Sequence, residues 1–255
     1  NTDFSLVWQQ IGMPDQTGHI RLDLGSSVLW EYVVDEAELD VQIASDDFIF
    51  ETLRLETPYG KLDGNLTLAG ILSSEKDNHI HLTTDIKAFN PEMFLKNNQY
   101  AGSINGTVAS TIFIPKTFAL EEMTADATCR IDSSRMMNLD ISSAELEAAW
   151  RDEKITINRF EMETTLGTTS LAGTASVKDE TCRLKADVTL LDLKRIRTVF
   201  PDLPDNTELA GKASVTADIN GKWQEPYISA VVKAEKVSFN NVSTDFLNAD
   251  GCWKG

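Results

Sequence analysis

The sequence predicts an all-β, mainly antiparallel protein assembled from repeats. Three observations lead there: period-2 alternation of apolar and polar residues, turn dipeptides between the alternating runs, and a strand-rich unit that occurs twice. Pro58-Tyr59-Gly60 followed by Leu62-Asp63-Gly64 matches Thr165-Leu166-Gly167 followed by Leu171-Ala172-Gly173, with Gly60 and Gly167 107 residues apart. Tyr100-Ala101-Gly102 matches Leu209-Ala210-Gly211, and Trp150 and Trp253 close the two copies. A long repeating β unit belongs to an elongated array.

Each strand is read from its alternation. Leu184, Ala186, Val188 and Leu190 share one face, while Arg183, Lys185, Asp187 and Thr189 occupy the other. Ala213, Val215, Ala217 and Ile219 alternate with Ser214, Thr216 and Asp218. The same phase links Ile104, Val108, Ile112 and Ile114, then Ile80, Leu82 and Ile86, then Met123, Ala125, Ala127, Cys129 and Ile131, and near the amino end Leu39, Val41 and Ile43. One dry and one wet side per strand is the antiparallel pattern, and the continuous Val/Ile runs of a doubly covered parallel sheet are missing. Pro58-Tyr59-Gly60, Asp63-Gly64, Asn105-Gly106, Asn220-Gly221 and Asn240-Asn241 read as turns. Gly64 and Gly106 fit equally as in-strand glycines at bulges or close approaches.

Two short helices are expected at equivalent places. Asn90-Pro91 caps one over residues 90–97, and Asp192 opens another over 192–200, stopped by Pro201. Three segments follow: residues 1–35 as the end of a preceding repeat, 36–142 as repeat 1 and 143–255 as repeat 2. Without gaps, residues 36–60 against 143–167 match at Ala37/Ala144, Glu38/Glu145, Leu39/Leu146, Glu56/Glu163, Thr57/Thr164 and Gly60/Gly167. The apolar phase also holds: Phe48/Ile155, Phe50/Ile157, Leu53/Phe160 and Leu55/Met162.

Charge narrows the partners. A net charge of −17, from 23 Lys and Arg against 40 Asp and Glu, repels phosphate backbones and anionic headgroups, so no nucleic-acid partner is expected. Any lipid contact then falls to apolar side chains. No stretch is apolar for the roughly 18 residues of a membrane span, and no signal peptide opens the chain. Asn1 at the start and Gly255 after a Trp read as the limits of a segment cut from a longer protein. Cys129, Cys182 and Cys252 form no close pair and read as small buried apolar residues, with a single disulfide left open.

Constellations for chemistry are sparse, and neither enzymatic activity nor a cofactor or bound metal is expected. His79-Ile80-His81 puts two imidazoles on one strand face, which reads as a solvated face; His19 is the third histidine. HExxH, GxSxG and P-loop motifs are missing, and so is a serine with a partnered histidine. Asp35-Glu36, Asp46-Asp47 and Asp152-Glu153 sit where hairpin tips are expected, without the DxDxDG spacing of a calcium loop or an aromatic cluster for sugar stacking. Trp8, Trp30, Trp150, Trp223 and Trp253 are scattered, which suits strand ends and groove rims rather than a base-stacking platform.

Residues Phe160 to Phe239 resemble the AsmA-like and TamB-like proteins of the Gram-negative envelope. The carrying elements are Leu171-Ala172-Gly173, the alternating strand Leu184–Leu190, the short helix with Pro201-Asp202-Leu203-Pro204, Leu209-Ala210-Gly211, and Gly221 to Pro226 leading into Tyr227-Ile228-Ser229-Ala230. The first copy fits more loosely: Tyr100 stands in place of Leu209, and Ile114-Pro115 lacks the preceding Gly. The resemblance covers about Leu39 to Trp253. It implies a long antiparallel sheet curled like a taco shell around an apolar groove, anchored in the inner membrane and reaching through the periplasm. It also implies phospholipid acyl chains as cargo and an outer-membrane barrel protein as a further partner.

Combined with the alternation, the resemblance nominates a groove lining: Leu53, Leu55, Leu66, Leu68, Leu82, Ile86, Ile104, Val108, Ile112, Phe160, Met162, Leu171, Val177, Leu184, Val188, Val215, Ile219 and Ile228. Two short helices cannot cover the apolar face of a sheet with a dozen strands. The expected function is phospholipid carriage between the inner and outer membranes. The competing expectations are a scaffold that aids outer-membrane protein assembly by strand augmentation, and a closed β-sandwich for adhesion or ligand binding.

Overall fold

A computed structural model of the chain describes residues 2–9, 17–29, 32–73, 75–96, 100–137, 139–198, 209–239 and 242–254. The fold is all-β, and every strand pair with a defined register is antiparallel. The chain divides into two compact units, Asn1–Arg130 with Trp150–Asp152, and Ile131–Ala149 with Glu153–Gly255. This division does not coincide with the repeat limits of 36–142 and 143–255.

The first unit contains β1 (Thr2–Gln9), β2 (Thr17–Leu24), the small hairpin β3 (Ser27–Leu29) and β4 (Tyr32–Val34), β5 (Glu36–Ala44), β6 (Asp47–Thr57), β7 (Gly60–Ala69), β8 (Asn78–Phe89), β9 (Gly102–Ile114) and all but the last residue of β10 (Thr124–Ile131). Its sheet runs β1-β2-β5-β6-β7-β8-β9-β10, so successive long strands are neighbours. In the second unit β11 (Ser134–Met136) flanks β12 (Leu139–Arg151), whose last two residues belong to the first unit. The second unit's sheet runs from β12 through β13 (Lys154–Thr164), β14 (Gly167–Ser176), β15 (Thr181–Leu190), β16 (Leu209–Lys222), β17 (Glu225–Phe239) and β18 (Val242–Lys254) in chain order.

The turns explain this meander. Thr57 Oγ1 accepts from Tyr59 N (3.1 Å) and donates to Gly60 O (3.0 Å), closing the two-residue turn Pro58–Tyr59. Thr164 repeats both bonds with Leu166 N (3.2 Å) and Gly167 O (3.1 Å). Gly60 (φ 139°) and Gly167 (φ 148°) lie in the region only glycine enters readily. A Cβ on Gly167 would also collide with the Thr189 carbonyl oxygen, and one on Gly60 would lie 2.7 Å from Phe89 Cα. The duplication extends to irregularities. The β6/β7 register shifts between Phe50 and Leu53, and the β13/β14 register shifts 107 residues later, between Ile157 and Phe160.

Gly64 and Gly106 take the in-strand alternative, inside β7 and β9, whereas the expected turn at Asn220-Gly221 is corrected: it lies inside β16, whose turn is Trp223–Gln224. Asn240-Asn241 falls outside the described residues. Of the two expected helices the described residues show α1 (Glu92–Leu95), a single turn, and a 3-10 rather than α-helical segment at Leu193–Thr198, about two turns. Segments this short cannot offset the cost of helix nucleation. Asn90 Oδ1 accepts from Glu92 N (3.2 Å) and Gly102 N (3.1 Å), and Asp192 Oδ1 accepts from Lys194 N (3.0 Å), so local side-chain bonds hold these turns. Residues 97, 199 and 200 of the expected helices, and Pro201 to Pro204, lie outside the described residues.

No single compact core forms among the described residues. Buried apolar side chains are few and scattered, for example Val41 and Ile43 on β5, Ile141 and Ala144 on β12, and Ala234 on β17. Substantial packing between elements joins neighbouring strands, apart from the 3-10 helix on β16 and β4 beside β6. All three cysteines are free. Cys129 and Cys182 are half-buried, whereas Cys252 is exposed, as is every residue of β18.

Candidate functional site: an apolar face in each unit

Register converts the alternation into a surface. Directly opposed residues of antiparallel strands point to the same side. In the first unit one cross-strand row runs Ile20–Val41–Phe50–Leu66–Leu82, and the next runs Leu22–Leu39–Leu53–Gly64–Thr84–Val108. A third is Ala37–Leu55–Leu62–Ile86–Gly106, and a fourth is Ile43–Phe48–Leu68–Ile80–Ile112. Thus Leu53, Leu55, Leu66, Leu68, Leu82, Ile86, Val108 and Ile112 share one face. Ile104 joins them opposite Phe89, beyond a bulge at which Ala88 takes φ 52°. Every one of these side chains is only partly buried.

The second unit builds the same surface. Met162–Thr169–Val188–Val215–Val232, Phe160–Leu171–Ala186–Ala217–Ala230 and Ile157–Gly173–Leu184–Ile219–Ile228 are successive rows. Phe160, Met162, Leu171, Leu184, Val188, Val215, Ile219 and Ile228 therefore lie together. Val177 does not: it sits in the turn after β14 and is exposed, because β14 ends at Ser176. The registers add Phe48, Phe50, Leu62, Ile80 and Val232, whose signal in the sequence is the same phase.

The opposite face is wet and charge-laced. Arg54 bridges Glu38 (3.1 Å) and Asp63 (3.3 Å), and Arg21 holds Asp23 (3.0 Å). His19 Nε2 lies 2.6 Å from Asp40 Oδ1. His81 Nδ1 is 3.2 Å from Thr111 Oγ1, and the His79 ring lies 5.2 Å from that of Phe113, so both histidines stand on this face. In the second unit Arg159 spans Glu145 (3.0 Å) and Glu161 (2.7 Å), and its hydrogen bond holds the Glu161 carboxyl below its ordinary 4.5. Thr216 Oγ1 donates to Asp187 Oδ1 (2.7 Å). Among the described residues no group of three His, Cys, Asp or Glu side chains is placed to hold a metal ion. Nor is any described helix long and apolar enough to cross a membrane.

Asp152-Glu153 forms a hairpin turn, Asp46 lies in a turn with Asp47 opening β6, and Asp35 lies in a bend with Glu36 opening β5. Trp223 is exposed in a turn and Trp253 on β18; Trp30 is outside the described residues. The chain matches no protein-family model, no curated protein and no solved structure.

Proposed function

We propose that this chain is a segment of a periplasm-spanning protein of the AsmA-like and TamB-like kind. Its apolar β faces carry phospholipid between the inner and outer membranes. The observation that carries this reading is the alignment of apolar side chains into rows across successive strands, each only partly buried among the described residues.

An acyl chain supplies the missing cover. Transfer of hydrocarbon onto such a surface is worth about 0.8 kcal/mol per buried CH₂, or on the order of 10 kcal/mol for a chain of about sixteen carbons. The contacts are non-directional, so a lipid can shift from row to row without breaking any specific bond. Inner-membrane anchoring and a periplasmic location belong to this proposal. The test is lipid extraction and native mass spectrometry of the purified chain, with photo-crosslinkers at Val188, Val215 and Ile228 in cells. Bound phospholipid captured at these three positions is the expected result, and its absence in both measurements overturns the proposal.

One observation favours a second reading, a scaffold for outer-membrane strands. β18 pairs only with β17 among the described strands and is exposed at every position, so its outer edge can accept another strand. A proline within β18 then impairs barrel assembly while bound phospholipid is unchanged.

A further inference from the structure

β18 is the third occurrence of one strand. β5, β12 and β18 line up at steps of 107 and 103 residues, the spacings that relate Gly60 to Gly167 and Trp150 to Trp253. Ala37-Glu38-Leu39 on β5 matches Ala144-Glu145-Leu146 on β12. Glu147-Ala148-Ala149-Trp150-Arg151 on β12 then matches Asp250-Gly251-Cys252-Trp253-Lys254 on β18. The second match keeps the chemistry at every position: an acid, two small residues, Trp and a base. β12 and β18 are also equal in length, at 13 residues.

The two earlier occurrences share a partner that β18 lacks. β5 turns at Ser45-Asp46 and pairs with β6, and β12 turns at Asp152-Glu153 and lies beside β13. β6 and β13 are both 11 residues long, both end in Glu-Thr, and both place four apolar residues on one side. On β5 the paired positions are shut. Ile43 faces Phe48 and Val41 faces Phe50, and both β5 residues are 2% exposed. Their counterparts on β18 stand open: Trp253 is 57% exposed, and a Cβ on Gly251 would meet nothing within 4 Å. Nor does β18 carry the devices that close an edge. It has no proline, and its register with β17 runs unbroken from Tyr227↔Lys254 to Phe239↔Val242.

The same duplication specifies the occupant. Carried over to β18, the β5/β6 register sets the four apolar residues of an incoming strand opposite Trp253, Gly251, Ala249 and Leu247. Trp253 faces Ile228 and Ala249 faces Val232 on β17, so the new strand extends rows already built. Its second apolar side chain fills the gap at Gly251, in the place where Phe50 faces Val41. Acyl chains can cover the apolar side, but they offer the outward N–H and C=O groups of β18 no hydrogen bond; a strand does both. A second copy of the chain has no such strand to spare, because its β6 and β13 already have neighbours on both sides.

We propose that the free edge of β18 is the seat of one further antiparallel strand of the β6/β13 pattern, held in the β5/β6 register. The inference rests on the reading of β18 as a strand-accepting edge, and adds the sequence pattern and register of the partner.

The test titrates the full chain into a fluorescein-labelled peptide with the β13 sequence, Lys154–Thr164, and reads anisotropy. A comparison peptide of the same composition distributes its apolar residues over both sides. Expected is binding about tenfold or more tighter for the β13 peptide, from four cross-strand pairs. Gly251→Lys sets a charge opposite Ile157 of the peptide, in open space where folding is not at risk, and should weaken binding by a similar factor. Asn248→Lys places the same charge on the wet side and should bind like the parent. Cys252 reports the register: it holds the place of Gln42, which faces Ile49, so it faces Thr156 of the peptide. A peptide with Thr156→Cys, activated as a mixed disulfide, should transfer to Cys252 about tenfold faster than one activated at Glu161→Cys. Equal binding of the two peptides, equal transfer from the two cysteines, or a Gly251→Lys chain that binds like the parent overturns the assigned pattern and register while leaving β18 a strand-accepting edge. Self-association of the chain that the peptide does not displace gives the edge to a second copy and overturns the inference. A β18 that binds neither peptide overturns the strand-accepting reading as well.

Discussion

Val215→Asp is the sharpest perturbation of the proposed lipid face. Val215 stands between Val188 and Val232, directly opposed on both sides. At about 4.8 Å between strands, the three valines form a row about 10 Å long. An acyl chain lying over that row that gives up contact with about three methylenes loses about 2.4 kcal/mol, which corresponds to roughly 50-fold weaker retention. A carboxylate resists desolvation, so the loss is at least that large. The chain itself tolerates the change, because Val215 is already partly solvated and forfeits only about 1 kcal/mol of burial. The matched control is Ser214→Asp, which places the same charge one residue away on the wet face, opposite Lys233. The assay reloads delipidated protein with a fluorescent phospholipid and follows its release. Val215→Asp within twofold of the parent, or Ser214→Asp equally defective, refutes the assignment of the face.

Other outcomes follow from the same geometry. Gly167→Ala and Gly60→Ala each cost about 2 kcal/mol or more through backbone strain at positive φ, with Gly167→Ala the costlier because of the Thr189 carbonyl; chemical denaturation midpoints measure this. Glu161 is depressed by its hydrogen bond from Arg159, so the pair's contribution is present above pH 4.5 and is lost as pH falls through the lowered native value; the stability gap between parent and Arg159→Met should close over that range. Cys252 should react first with a maleimide, ahead of Cys129, whose thiol burial pushes up from its ordinary 9.0; peptide mapping after brief labelling reports the order.

Most of the apolar face is legible in the sequence because period-2 alternation is a local property: Leu184, Val188 and Val215 announce their side without knowing their neighbours. Phe48 and Phe50 carried the same signal through the duplicated phase. Val177 falls outside the face because alternation does not mark where a strand stops; Ser176, whose hydroxyl bonds Asp179, ends β14 one residue earlier. Asn220-Gly221 looked like a turn because the dipeptide suits one, but it pairs with Tyr227 and Pro226 across β17. Capping residues mark where a helix starts but not its type, and Leu193–Thr198 is 3-10.

The sequence alone determined the strand class, the dry and wet sides, the internal duplication and the acidic balance, since each depends on residue order over short spans. Tertiary structure decided what those properties become together. Register, a long-range property set by turns and bulges, lined separate apolar stripes into continuous rows. The backbone hydrogen bonds from Leu72 N to Asp46 O and from Val177 N to Glu153 O join residues more than twenty positions apart, and only folding brings such partners together.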